Sequence, residues 1–112
     1  MNKYRDKSDF EINKAVAEIY LHGKHLLSEE KQEVYFAGMD GGDFLPNGYF
    51  DPCNNPADAM TIILDNKIDL THLVGNMVCA KHKEYWCIRK NPYRAGCEVY
   101  LLMKEAENEN EY

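Results

Sequence analysis

The chain has 112 residues, 45% apolar and 29% charged, values that suit one globular domain with its own core. Its net charge of −6 repels a phosphate backbone unless Lys and Arg gather on one face, so direct nucleic-acid binding is disfavoured. No apolar run approaches the roughly 20 residues that cross a bilayer. Residues 1–10 carry Lys3, Arg5, Asp6, Lys7 and Asp9 and no apolar stretch, so a cytoplasmic protein is expected. In that setting Cys53, Cys79, Cys87 and Cys97 read as reduced thiols packed as small apolar groups.

A helix is predicted to start at Ser8-Asp9-Phe10-Glu11, which fits a capping box. Ile12, Ala15, Val16 and Ile19 then recur at helical spacing, and Gly23 follows as a C-terminal cap. Leu26 and Leu27 are expected to tuck the exit of this helix into the core. Residues 33–37 are rich in strand formers. From Gly38 to Pro52 glycine and proline dominate, so a loop is expected, with a turn at Pro46-Asn47-Gly48. Phe44, Leu45, Tyr49 and Phe50 interrupt this loop and are expected to lie back on the core.

A second helix is predicted from Asn55 as cap, with Pro56 at its first position and Asp58 complementing the positive helix end. It is apolar on nearly all sides after Asp58 and should be largely buried. Ile68, Leu70, His72 and Val74 alternate as in a half-buried strand. Residues 77–80 and 85–89 read as two further strands across the polar link 81–84. A last helix repeats the earlier punctuation, with Asn91 as cap and Pro92 first, and Ala95, Val99 and Leu102 along one face. The order implies an α+β domain over residues 1–107, a small, mostly antiparallel sheet packed against about three helices, with an acidic tail at 108–112.

Cys79-x2-His82-x4-Cys87 is the nearest approach to a zinc motif, with Cys53 or Cys97 as a possible further ligand. It lacks a C-x2-C pair, and buried thiols beside a turn histidine are the plainer reading. Glu18, His22 and His25 would share a helix face but for Gly23 among them, and read as solvated surface. Cys53 is the best thiol nucleophile on offer, because amides at a helix start lower a thiol pKa, although nothing marks a partner base. There is no phosphate loop, nucleophile elbow, HExxH or EF-hand loop. No catalytic residue, metal or cofactor is therefore assigned. Arg94 stands in the first turn of the last helix, where the dipole disfavours a cation, and Asp58 is a candidate to offset it.

Three blocks, 8–14 (SDFEINK), 53–59 (CNNPADA) and 91–95 (NPYRA), resemble the signature of the NinX-like family of small phage proteins. The chain departs from that pattern in a longer aromatic loop near Phe44 to Phe50 and in its acidic tail. The resemblance carries over no catalytic residue. It implies an accessory protein of tailed phages, working in the cytoplasm of an infected bacterium.

The expected function is binding of a host or phage protein, inhibition of a host defence being one form; the alternative is a small metal-dependent or thiol enzyme. A third reading, DNA mimicry, draws on the acidity alone. Asn54, Asp58, Tyr93 and Arg94 belong to the two Asn-Pro blocks and form the expected partner-binding set. If the two helices ran side by side in parallel, their starts would make one polar patch able to receive a carboxylate.

Overall fold

The computed structural model describes residues 3–40 and 43–109. The chain runs α1 (Asp9–Tyr20), β1 (His25–Ser28), β2 (Glu33–Asp40), β3 (Asp43–Tyr49), α2 (Pro56–Asp65), β4 (Asp69–Leu73), β5 (Met77–His82), β6 (Tyr85–Arg89) and α3 (Pro92–Glu109). The α+β class and the antiparallel pairing are as expected. The strands, however, form two three-stranded sheets rather than one, in the orders β1-β2-β3 and β4-β5-β6. Each sheet is an antiparallel meander of sequence neighbours, and α2 separates the two along the chain.

Ser8 caps α1 in the expected capping box, and α1 ends at Leu21. His22 (φ 52°) and Gly23 (φ 80°) then both take left-handed backbone and turn the chain into β1. Leu26 and Leu27 therefore do not plug the helix exit. They lie in β1, and Leu27 is exposed.

The expected loop after residue 37 is a hairpin instead. Ala37 pairs with Pro46 and Tyr35 with Tyr49, so two β3 residues, Asn47 and Gly48, stand against Phe36 alone. The Pro-Asn-Gly sequence thus makes a β-bulge and not a chain reversal, with Gly48 at φ 103° supplying the backbone that a bulge requires. Of the aromatic set, Phe50 is buried against Phe36 and Tyr49 is exposed. The side chains of Phe44 and Leu45, together with Gly41 and Gly42, lie outside the described residues.

In α2 only one stripe is buried, Ala59, Ile62 and Ile63, while Leu64 is exposed. The helix is rich in apolar residues, but among its described residues this stripe and the partly buried Met60 are the ones that pack on the core. Val74, expected inside a strand, sits fully outside in the 3-10 turn Val74–Asn76, where Gly75 (φ 76°) and Asn76 (φ 59°) reverse the chain. The link between β5 and β6 is only Lys83-Glu84, because His82 pairs with Tyr85 and Lys83 accepts φ 55°.

The core joins Ile12, Val16 and Ala17 of α1, Ile62 and Ile63 of α2, and Ala95, Val99 and Leu101 of α3, with Val34, Phe50, Ala80 and Cys87 from the sheets and the strand exits. Full burial of each large aliphatic contributes about 1.5–3 kcal/mol. α3 packs on β5, β6, α1 and α2, and α1 lies on the first sheet. α2 and α3 approach closely at Gly96, where a Cβ would stand 2.5 Å from Ile63 Cδ1.

Candidate functional site at the three helix starts

The packing of α1 and α2 against α3 brings the beginnings of all three helices together. Asn55 Oδ1 accepts from Ala57 N at 2.9 Å. Asn91 Oδ1 accepts from Tyr93 N (3.0 Å) and Arg94 N (3.3 Å). Both asparagines are thus helix caps in front of a proline, as the sequence predicts. Asn91 does more. Its Nδ2 donates to Cys53 O at 2.6 Å and lies 3.4 Å from Asn54 Oδ1, tying the start of α3 to the residues before α2. Asn55→Ala and Asn91→Ala are each expected to cost about 0.5–2 kcal/mol in urea unfolding, Asn91→Ala nearer the upper end because two links go at once. Unchanged stability for both would mean that the caps do not hold these starts.

Asn54 is exposed, and its Nδ2 donates to Asp9 Oδ2 at 3.2 Å and to both carboxylate oxygens of Asp51. Asp51 also accepts from the buried Asn13 at 2.7 Å, and the Asp51 amide donates to Asp58 Oδ2 at 3.0 Å. Asn13 Oδ1 in turn accepts from Cys53 N. Asp58 therefore anchors the turn before α2 and is not the counter-ion of Arg94.

The counter-ions of Arg94 are Asp9, at 2.7 Å from Nη1, and Glu98, at 2.8 Å from Nε. Its Nη2 donates to the carbonyls of Tyr4 (3.0 Å) and Lys7 (2.7 Å), strapping the N-terminal segment over α3. The side chain is only 12% exposed. Burial works against the charged guanidinium, but its hydrogen bonds to Glu98 and Asp9 outweigh this and raise the pKa. Glu98 is fully buried and also takes two bonds from Arg89, Nε at 2.9 Å and Nη2 at 2.8 Å. One buried carboxylate thus sits between two guanidiniums, and Asp9 supplies the second negative charge. Tyr93 is half-buried beside this cluster and packs against the core.

The converged starts do not present bare amides to a carboxylate. Their own caps and the carboxylates of Asp9, Asp51 and Asp58 already occupy that space, so the patch is acidic. Beside it opens a cleft of about 630 Å³ whose lining includes Asp9, Glu33, Tyr49, Phe50, Asp51 and Asn54, with no Lys or Arg among the described residues. Asn54 is the residue of the expected set that faces this cleft; Asp58, Tyr93 and Arg94 do not line it. Sequence reasoning missed Asp9, Asp51 and Glu98. Asp9 was legible only as a first-turn acid, and Glu98 stands four residues after Arg94 on the same helix, a spacing that places an ion pair on one face.

The cysteines fit no nucleophile geometry. Cys53 is fully buried, and its thiol pKa is raised, first by the hydrogen bond with Cys97 and then by burial. That reverses the lowering expected at a helix start. Burial and then the nearby Glu98 push Cys87 up to about 12. Ala80 pairs with Cys87, so Cys87 faces the core while Cys79, one residue along β5, faces the other side of the sheet. His82 Nδ1 lies 3.1 Å from Lys67 O, and His22 has left the helix of Glu18. Among the described residues no group of three or more His, Cys, Asp or Glu is placed to hold a metal ion. Nor is any described helix long and apolar enough to cross a membrane.

The fold and site define a small α+β protein whose three helix starts are joined by an Arg-carboxylate cluster and an asparagine-aspartate network beside an acidic cleft. The family model described as Bacteriophage P22, NinX matches residues 3–104. The chain belongs to that family, which makes it a phage accessory protein. No match emerged among curated proteins or among solved structures.

Proposed function

We propose that the protein acts by binding a host or phage protein in the cytoplasm of the infected bacterium, a host-defence factor being one such target. The partner presents a basic segment to the cleft beside the helix starts. The observation that carries this reading is the lining of that cleft, three carboxylates and four amides around Phe10, Val34, Tyr49, Phe50 and Pro56 with no basic residue among the described residues, on a protein of net charge −6. A cluster of one sign speeds encounter with a partner of the opposite sign and rejects like-charged ones. Tyr49, 63% exposed and held by the Tyr35 ring at 5.4 Å between centroids, offers a face on which a guanidinium can stack. In this reading Asn54 touches the partner, while Asp58, Tyr93 and Arg94 hold the wall from which it projects.

Co-purification from phage-infected cells tests it, with the unaltered chain beside Tyr49→Ala and Asn54→Ala. The expected result is a captured protein lost at least about tenfold per folded molecule with either variant, since truncating a hot-spot contact costs about 2 kcal/mol or more; Asn54→Ala also gives up its bonds to Asp9 and Asp51, so the folded fraction is measured beside each capture. Capture that survives both substitutions would move the binding surface elsewhere.

A further inference from the structure

The second sheet has an open side. β6 is one of its two outer strands and, among the described residues, pairs only with β5. Since His82 and Tyr85 close a two-residue hairpin, bonded and non-bonded pairs alternate from there. Tyr85, Cys87 and Arg89 then spend their backbone groups on β5, and Trp86 and Ile88 turn theirs outward. The contact of Arg89 Nη1 with Ile88 O at 2.6 Å agrees with that outward carbonyl. Trp86 is 55% exposed, and a groove of about 610 Å³ along residues 84–89 is also lined by Arg5 and by Leu102 of α3.

We propose that β6 pairs antiparallel with β6 of a second copy of this chain, about a two-fold axis at Cys87. The strand is complementary to itself in that register. Trp86 falls opposite Ile88 of the second copy, an aromatic with a β-branched residue, and both are outward-facing positions that exchange N–H and C=O groups. Tyr85 falls opposite Arg89 of the second copy. Glu84 falls opposite Lys90 of the second copy, so each copy offers its acid to the other's base. Glu84 and Lys90 are exposed. No other register about this edge places a carboxylate opposite an ammonium twice. On pairing, Ile88 O exchanges the Arg89 Nη1 contact for a strand N–H, while Arg89 keeps its two bonds to Glu98. The β4-β5-β6 sheets of the two copies become one of six strands, and the β6 edge, an aggregation hazard in a monomer, is closed. This surface is separate from the acidic cleft, and either proposal can fail without the other.

Sedimentation of the full chain from about 1 µM to 1 mM, near physiological salt, tests the proposal. A reversible dimer is expected, and Trp86, the one tryptophan of the chain, should report it as a blue shift of emission with concentration. Glu84→Lys and Lys90→Glu each set two like-charged pairs across the axis and should weaken the dimer about tenfold or more. The double variant restores both pairs and should return affinity to within about threefold of the original. Both changes lie at exposed positions, and circular dichroism confirms the fold of all three variants. A monomer throughout the range, a dimer indifferent to the single swaps, or a double variant without recovery would each overturn the proposal.

Discussion

Glu98→Ala is expected to cost about 3–5 kcal/mol, the largest effect of any single substitution considered for this protein. Glu98 is fully buried, and its two oxygens receive three charged hydrogen bonds, two from Arg89 and one from Arg94. Removing the carboxylate leaves two guanidiniums facing each other with Asp9 as their one counter-charge among the described residues, on the exposed side of Arg94. The loss then reaches beyond α3. Arg94 Nη2 holds the carbonyls of Tyr4 and Lys7, so its release frees the N-terminal segment. A surface pair supplies the contrast. Lys14–Glu29, at 3.6 Å and well exposed, should yield no more than about 1 kcal/mol on Glu29→Ala. Urea unfolding of both variants decides the matter, and a Glu98→Ala loss as small as that of Glu29→Ala would show that water already serves both guanidiniums.

Gly96→Ala should destabilise by about 1–3 kcal/mol. The direction is the informative part. Gly96 lies inside α3, and helix propensity alone predicts a gain of about 1 kcal/mol from alanine there. The structure reverses the sign, because the new Cβ would meet Ile63 Cδ1 at 2.5 Å and Cγ1 at 2.7 Å. Ile63 is itself buried, so it cannot swing aside into solvent. Either α2 moves away from α3 or Ile63 adopts a poorer rotamer. Ile63→Val in the Gly96→Ala background removes the clashing Cδ1 and should return part of the loss, a non-additive pair that thermal melting can measure. A stabilised Gly96→Ala would mean that the two helices are not in contact at this point.

Local chemistry was legible wherever a residue acts on its own backbone. Ser8 with Glu11, Asn55 before Pro56, and Asn91 before Pro92 mark helix starts through bonds that span three residues at most, and the structure has each of them. The same holds for the α+β class and for the three blocks that resemble the NinX-like family, whose model covers residues 3–104. Where two distant segments decide the outcome, the local signal misled. Pro46-Asn47-Gly48 carries turn chemistry, but pairing with β2 turns it into a bulge. The apolar run of α2 suggests burial on all sides, yet Ala59, Ile62 and Ile63 are its buried residues, Ile63 lying against Gly96 of α3, and Leu64 is exposed. The helix-start amides near Cys53 suggest an activated thiol, and burial beside Cys97 raises its pKa instead.

The sequence by itself determined where the helices begin, because capping is a matter of neighbouring residues. That three beginnings meet, and that Asp9, 85 residues away in the chain, neutralises Arg94, was decided by the packing of α1 and α2 on α3 alone. A charge finds its partner through space, and burial then makes that partner obligatory.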